Sequence, residues 1–377
     1  MKYQSVRDHL PQGWAESVKA KLSPKLRWMA QEAEKLAFIP YTTRDGAFVC
    51  RELDWWTNGF WGATLWQMHL MTGDEAFRSA AIRAEELMDP ALEKYERLHH
   101  DVGFMWLIQS GVRHALEGNE ESFRRTLFCA HLLASRFNPN GFIRAWNGEH
   151  QQGWAIIDCM MNLPLLYWAS RQTGDPRFRL IAMRHADTAI RHFVREDGSC
   201  NHIVCFDPET GEFLSNPAGQ GYASGSSWSR GQAWALYGFT LSHLMTGEAR
   251  YLDAAKKVAD YFLSALSEDF IPDCDFRQPR GETVKDNAAG AIAACGLMEL
   301  NAIHPDDRYA QTAARLLCAM DERCADWTLD TPAIMTQCTE AWDNGRHITM
   351  NYADYFFIEA VNKLLGCRML FWAPDGV

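Results

Sequence analysis

One short turn recurs along this chain, and it limits the fold more than any other feature. Met71-Thr72-Gly73-Asp74-Glu75-Ala76-Phe77 returns as Gln172-Thr173-Gly174-Asp175-Pro176-Arg177-Phe178 and again as Met245-Thr246-Gly247-Glu248-Ala249-Arg250-Tyr251. Ile303-His304-Pro305-Asp306-Asp307-Arg308-Tyr309 is a degenerate copy. In each, Gly or its substitute ends one helix. An acidic residue then opens the next, where the macrodipole favours negative charge. Each copy therefore reads as a helical hairpin, and internal repetition of hairpins outweighs any single motif as a guide to fold.

The segments after the turns, 74–88, 120–136, 175–194, 248–266 and 306–320, are amphipathic at a period of 3.6 residues, as is 12–37. The segments before them, 58–71, 102–116, 154–171, 230–245, 287–302 and 351–365, are apolar nearly all round. A helix apolar on every side is buried on every side. Six exposed helices alternating with six buried ones predict an all-α fold, two concentric rings forming an (α/α)6 toroid, as one domain over residues 1–377. A single small β-hairpin is expected in the 195–229 loop, with His202–Phe206 running into the turn Asp207–Gly211.

Composition closes off other classes. With 47% hydrophobic residues the chain can bury a large core, and a net charge of −11 makes nucleic acid an improbable partner. The N-terminus lacks an apolar leader and no apolar run of about 18 residues occurs, so neither secretion nor a membrane span is expected. The 11 Cys are scattered through apolar stretches and read as reduced thiols of a cytoplasmic protein. Cys200-Asn-His202-Ile-Val-Cys205 lacks a fourth ligand and a familiar metal spacing, so no metal is expected. Oligomeric state leaves no mark on the sequence. The 15 Trp suit a surface that stacks on sugars.

Turns from buried to exposed helices are about three residues long, too short to carry chemistry. The return loops, 89–100, 137–153, 195–229, 267–286 and 321–350, are long and gather Trp146, His202, Gln220, Trp228 and Trp342 at the end where the buried helices begin. Unpaired N–H groups at those helix starts would favour an anionic ligand. Asp158 interrupts an apolar run, Trp154-Ala-Ile-Ile-Asp158-Cys-Met-Met-Asn162. Burial should raise its pKa and the nearby helix start should lower it, which suits an acid that gives a proton and takes one back. Asp101, after His99 and His100, is a helix cap, a catalyst or both. Ser229 and Gln232 have capping-box spacing. Arg230 between them opposes the helix dipole, which favours an anionic ligand over a neighbouring Asp as its partner. Of the Trp residues near the mouth (Trp55, Trp56, Trp61, Trp146, Trp228, Trp234), about half are expected to be core.

These motifs resemble the unsaturated glucuronyl hydrolases of glycoside hydrolase family 88. The resemblance runs from Asp54-Trp55-Trp56-Thr-Asn-Gly-Phe-Trp61 through His99-His100-Asp101-Val-Gly-Phe and Ile156-Ile157-Asp158-Cys-Met-Met-Asn-Leu-Pro. It continues through Phe206-Asp207-Pro, Gln220-Gly221, Trp228-Ser-Arg230-Gly-Gln-Ala-Trp234 and Ala353-Asp354-Tyr355-Phe-Phe-Ile-Glu-Ala. It implies an (α/α)6 enzyme that removes the 4,5-unsaturated uronic acid left by polysaccharide lyases on acidic di- or oligosaccharides of glycosaminoglycan type, without metal or organic cofactor. By the same resemblance Asp158 is the general acid/base and Asp101 a second essential carboxylate. His100, His202, Gln220, Trp228 and Arg230 would contact substrate, with Trp56, Trp146 and Trp234 as an aromatic wall.

The implied reaction is hydration of the C4=C5 vinyl ether, not direct displacement at the anomeric carbon. Two departures from the family pattern stand out. Gly219 occupies a position where His precedes the Gln-Gly pair, and 335–350 lacks the Ser/Tyr- and Lys-bearing pattern tied to sulfate or second-sugar contacts. Three alternatives remain at this level: an unsaturated rhamnogalacturonyl hydrolase acting on pectin fragments, a sugar 2-epimerase using His100 and His202, and a non-catalytic sugar-binding protein.

Overall fold

The computed structural model describes residues 2–376. Helices Asn58–Thr72, Gly103–Gly111 continuing as Val112–Glu117, Leu163–Thr173, Ser229–Thr246, Asn287–Ile303 and Asn351–Leu364 form an inner ring. Each packs on the next, and Asn351–Leu364 closes the circle against Asn58–Thr72. Trp14–Ala33, Glu75–Glu86, Glu120–Ser135, Pro176–His192, Ala249–Ala265 and Asp307–Arg323 form the outer ring. Asn351–Leu364 is buried along its whole length, whereas Asp307–Arg323 buries one face only. That contrast is what the two hydrophobic patterns require. The rings are the (α/α)6 toroid.

The repeated turn works as its sequence suggests. Gly73, Gly174 and Gly247 adopt left-handed φ values of 73°, 71° and 72°, which end the inner helix at no steric cost. Asp74 and Asp175 then accept hydrogen bonds from the Ala76 and Arg177 amides. A further copy, Gly118-Asn119-Glu120, is built the same way: Gly118 has φ 67° and Asn119 accepts from the Ser122 amide. The residue four before each glycine completes the motif. Side chains of His69, His114, Ser170 and His243 donate to the carbonyls of Asp74, Asn119, Asp175 and Glu248.

Three expectations need correction. Small sheets are more numerous than the single expected hairpin: β1 (Pro40–Arg44) pairs with β2 (Ala47–Cys50), β3 (Phe137–Asn138) with β4 (Phe142–Ile143), and β5 (Trp154–Ile156) with β6 (Ile203–Phe206), which pairs with β7 (Phe213–Ser215). The β6–β7 hairpin is the expected one. Next, the inner helix placed at 154–171 begins nine residues later, at Leu163. Trp154–Ile156 is spent on β5 and Ile157–Met161 forms a 3-10 turn, so Asp158 sits on that turn. An apolar run alone does not separate a buried strand from a buried helix. Lastly, the inner helix at Gly103–Gly111 is wound as a π-helix.

Candidate active site

A cavity of 410 Å³ opens at the mouth, where the inner helices start. Trp55 and Trp56, just before the first inner helix, line it with Tyr41 of β1 and Tyr352 of the last inner helix. His99, His100 and Asp101 lead into the π-helix, and Trp146 comes from the loop after β4. Asp158, Gln220 and Arg230 complete the lower wall, with Glu340, Ala341 and Asn344 arching over from the 321–350 loop.

Asp158 is 7% exposed, and its Oδ1 is buried with no hydrogen-bond partner. A carboxylate oxygen held out of water without a partner is costly. Facing it, at 3.6 Å, is Nε2 of His202. The Gln220 amide donates to His202 Nδ1 at 2.9 Å, so Nδ1 is an acceptor and the ring N–H is on Nε2, toward Asp158. This approach explains Gly219. Its φ is +60°, and a Cβ there would lie 2.1 Å from His202 Nδ1, so the packing of this imidazole admits no His side chain at that position.

Asp101 does not cap its helix. The first-turn amide of Phe104 is taken at 2.9 Å by Asn162 Oδ1, whose Nδ2 donates to Asp101 Oδ1 at 3.2 Å. One buried amide thus ties the Asp101 turn to the turn bearing Asp158. Burial, aided by the Asp158 carboxylate, pushes Asp101 well above the usual carboxylate range. Burial also pulls His99 down to about 4 and His100 well below its ordinary value, so both imidazoles are neutral at pH 7. His100 Nδ1 donates to the Ala145 carbonyl at 2.9 Å. Arg136 clasps the same loop through the carbonyls of Arg144, Ala145 and Trp146, which sets the position of the Trp146 ring.

Arg230 corrects the expectation of an anionic ligand as its partner. It is 1% exposed, and Nη1 donates to Asp286 at 2.8 Å and to the Thr339 carbonyl at 2.7 Å, while Nη2 donates to the Glu340 carbonyl. A neighbouring Asp, 56 residues away in sequence, satisfies the guanidinium. The expected capping box is absent too. Ser229 donates to the Cys274 carbonyl, and Gln232 is buried against Cys200, Gly198 and Val258. Trp228 and Trp234 are not on the cavity wall. Trp228 is buried between His202, 4.2 Å away between ring centroids, and the Arg230 guanidinium at 4.6 Å. Trp234 is fully buried against Phe104 and Phe356.

Tyr41, Tyr352 and Glu340 line the cavity without having stood out in the sequence. Asn162 and Arg136 shape it from behind. Asn162 lies within a motif already singled out, and Arg136, in the position after an outer helix, has the placement of a basic C-terminal residue. Asp275 is a further fixed point, accepting from the amides of Tyr222, Ser227 and Arg277 and so shaping the Gly/Ser-rich loop after Gln220. The Cys200–Cys205 stretch does not form a ligand cluster. Among the described residues, His99, His100 and Asp101 are the group whose ligand atoms converge.

Two carboxyls in a cavity walled by tryptophans, at the mouth of an α/α toroid, define a carbohydrate-cleaving enzyme. Comparison with known proteins narrows the class. The model of Glycosyl Hydrolase Family 88 matches residues 31–268. An unsaturated glucuronyl hydrolase of Bacillus sp. (strain GL1) is 40% identical over 251 residues, 65% of this chain and 67% of that protein. An unsaturated chondroitin disaccharide hydrolase of Streptococcus pyogenes serotype M1 is 33% identical over 333 residues, 85% of this chain and 83% of its own length. The solved complex of an Asp-to-Asn variant of UGL with dGlcA-Glc-Rha-Glc superposes with a TM-score of 0.89 at 32% identity, covering 95% of this chain and 99% of that one. The chain belongs to glycoside hydrolase family 88.

Proposed function

We propose that this protein removes the 4,5-unsaturated uronic acid from the non-reducing end of lyase-generated, glycosaminoglycan-type di- and oligosaccharides by hydrating the C4=C5 bond. The observation that carries this reading is that Asp158, whose Oδ1 is buried without a hydrogen-bond partner, and Asp101 line one cavity together. The sugar stacks between Trp56 and Trp146, beside the two carboxyls. Asp158 gives its proton to C4, the π electrons form the new C–H bond, and positive charge develops on C5 and the ring oxygen. Water adds at C5 and returns a proton to Asp158. Opening of the resulting C5 hemiketal leaves a hemiacetal at C1, which expels the aglycone. Asp101 orients the sugar hydroxyls and stabilises the developing charge.

One observation favours a second assignment of roles. Burial, with the Asp158 carboxylate beside it, raises Asp101 well above the usual carboxylate range, which favours its holding a proton. In that reading Asp101 is the acid and Asp158 activates the water. Loss of absorbance of the conjugated double bond, followed with unsaturated disaccharides from chondroitin, hyaluronan, heparin and pectin, tests both. Turnover of the glycosaminoglycan products is expected, and turnover of pectin fragments alone would overturn the substrate class. If Asp158→Asn falls to background while Asp101→Asn keeps a measurable rate, Asp158 is the acid/base. The reverse pattern exchanges the roles. The whole chain, residues 1–377, acts as one catalytic domain. Its 11 free cysteines suit a reducing, cytoplasmic setting, and no described helix is long and apolar enough to cross a membrane.

A further inference from the structure

We propose that His99, His100 and Asp101 form a binding site for a divalent transition-metal ion of the zinc class, and that an ion held there competes with the sugar. The ligand atoms of the three residues lie within 4.8 Å of one another. His99 Nδ1 is 3.3 Å from Asp101 Oδ2, and His100 Nε2 is 3.2 Å from Asp101 Oδ1. Neither contact has hydrogen-bond geometry: both nitrogens are buried without a partner. Zinc bonds of about 2.0–2.1 Å place neighbouring ligand atoms on a tetrahedron roughly 3.3 Å apart, which is the spacing of these two contacts. The remaining edge, between the two imidazole nitrogens, lies within the same 4.8 Å.

His100 is held as a metal-binding histidine is held. It is 1% exposed and donates its Nδ1 proton to the Ala145 carbonyl, so the neutral ring turns its Nε2 lone pair toward Asp101. A backbone carbonyl in this outer role fixes both tautomer and ring orientation. Two imidazoles and one carboxylate are a donor set that zinc, nickel and copper accept. The open coordination position faces the cavity, where water or the substrate carboxylate would complete it. The competition rests on the proposed hydrolase reading, because the ion would occupy Asp101 and the space of the sugar. Binding itself does not depend on that reading.

The test uses the full chain, stripped of metal and titrated with Co²⁺. One equivalent is expected to give a visible absorption band that Zn²⁺ abolishes, and His99→Gln and His100→Gln should each weaken binding by about tenfold or more. No band, or binding in both variants as tight as in the wild type, overturns the site. Should His100→Gln fail to fold by circular dichroism, the partly exposed His99 carries the comparison. Zn²⁺ should raise KM for an unsaturated disaccharide and leave kcat unchanged. Intact Co²⁺ binding without that rise refutes the competition. A wild-type protein with no turnover on any unsaturated disaccharide would refute the hydrolase reading instead, and the cobalt titration would still decide the site.

Discussion

The two ends of the toroid are built on different principles. At the turn end, the contacts that form each repeated turn span a few residues: glycine, the cap two or three positions before the amide it binds, and the side chain four before the glycine. At the mouth, the contacts are long-range and buried. Asn162 reaches Asp101 across 61 residues, Arg230 reaches Asp286 across 56, and Gln220 donates to the Glu340 carbonyl across 120. The turn end is rigid because short motifs are repeated. The mouth is rigid because polar groups removed from water have to find specific partners. Substitutions at the mouth should therefore change chemistry or cost much stability, and those at the turns should cost little and leave the chemistry alone.

Asp158→Asn gives the largest effect. Removing a positioned proton donor costs on the order of 10²–10⁴ in rate. Its Oδ1 holds no partner whose loss would weaken the fold, so thermal unfolding should match the wild type. A variant with a lowered melting temperature and near-normal turnover would reverse the distinction. Asp286→Ala comes next. It strands the Arg230 guanidinium, and breaking one side of a buried pair costs about 3–5 kcal/mol. Urea unfolding should show that loss, whereas a cost under about 1 kcal/mol would mean that the Thr339 and Glu340 carbonyls alone hold the cation.

The same contrast explains what could be read from the sequence. Hairpin turns and ring order follow from glycine, caps and a 3.6-residue period, all local, so the toroid was legible before any coordinates. Asp158 stood out because a carboxylate in an apolar run is conspicuous in sequence, and Asp101 because it follows two His at a helix start. The partner of Arg230 was not legible, since nothing near position 230 announces an Asp at 286. Nor was the strand at Trp154–Ile156, because its apolar pattern is shared with the helix that follows and only pairing with Ile203–Phe206 decides between them. Trp228 and Trp234 are as aromatic as Trp56 and Trp146. Which pair faces the cavity is settled by packing around Phe104 and His202, not by residue type.

Asp354 sharpens the comparison through pH. It lies in the first turn of the last inner helix and accepts from the Ile334 and Met335 amides, tying the 321–350 loop to the ring. Burial raises it from 3.8 to about 7. Between those values the folded state keeps a proton that the unfolded state has lost, so its contribution to stability is complete below the lower value and is lost as pH rises through the upper one. Urea unfolding at intervals from pH 4 to pH 8 should show wild-type stability falling relative to Asp354→Asn. Parallel curves would mean that the two amides hold the carboxylate ionised throughout.

The smallest effect belongs to the turn end. Gly118-Asn119-Glu120 lacks the Thr-Gly-acid spelling of the other copies, yet Asn119 caps the Ser122 amide in the same geometry at 2.9 Å. Asn119→Ala removes that acceptor and should cost about 1 kcal/mol, the ordinary value of a helix cap. The midpoint of urea unfolding reads this, with activity on an unsaturated disaccharide as the second measurement. The helix that Asn119 begins ends beside Arg136, which clasps the Trp146 loop. A turnover loss out of proportion to the stability change would mean that strain at the turn travels down this helix to the cavity wall. Equal turnover at reduced stability means that the packed rings between the two ends absorb it, and that mouth and turns can be altered separately.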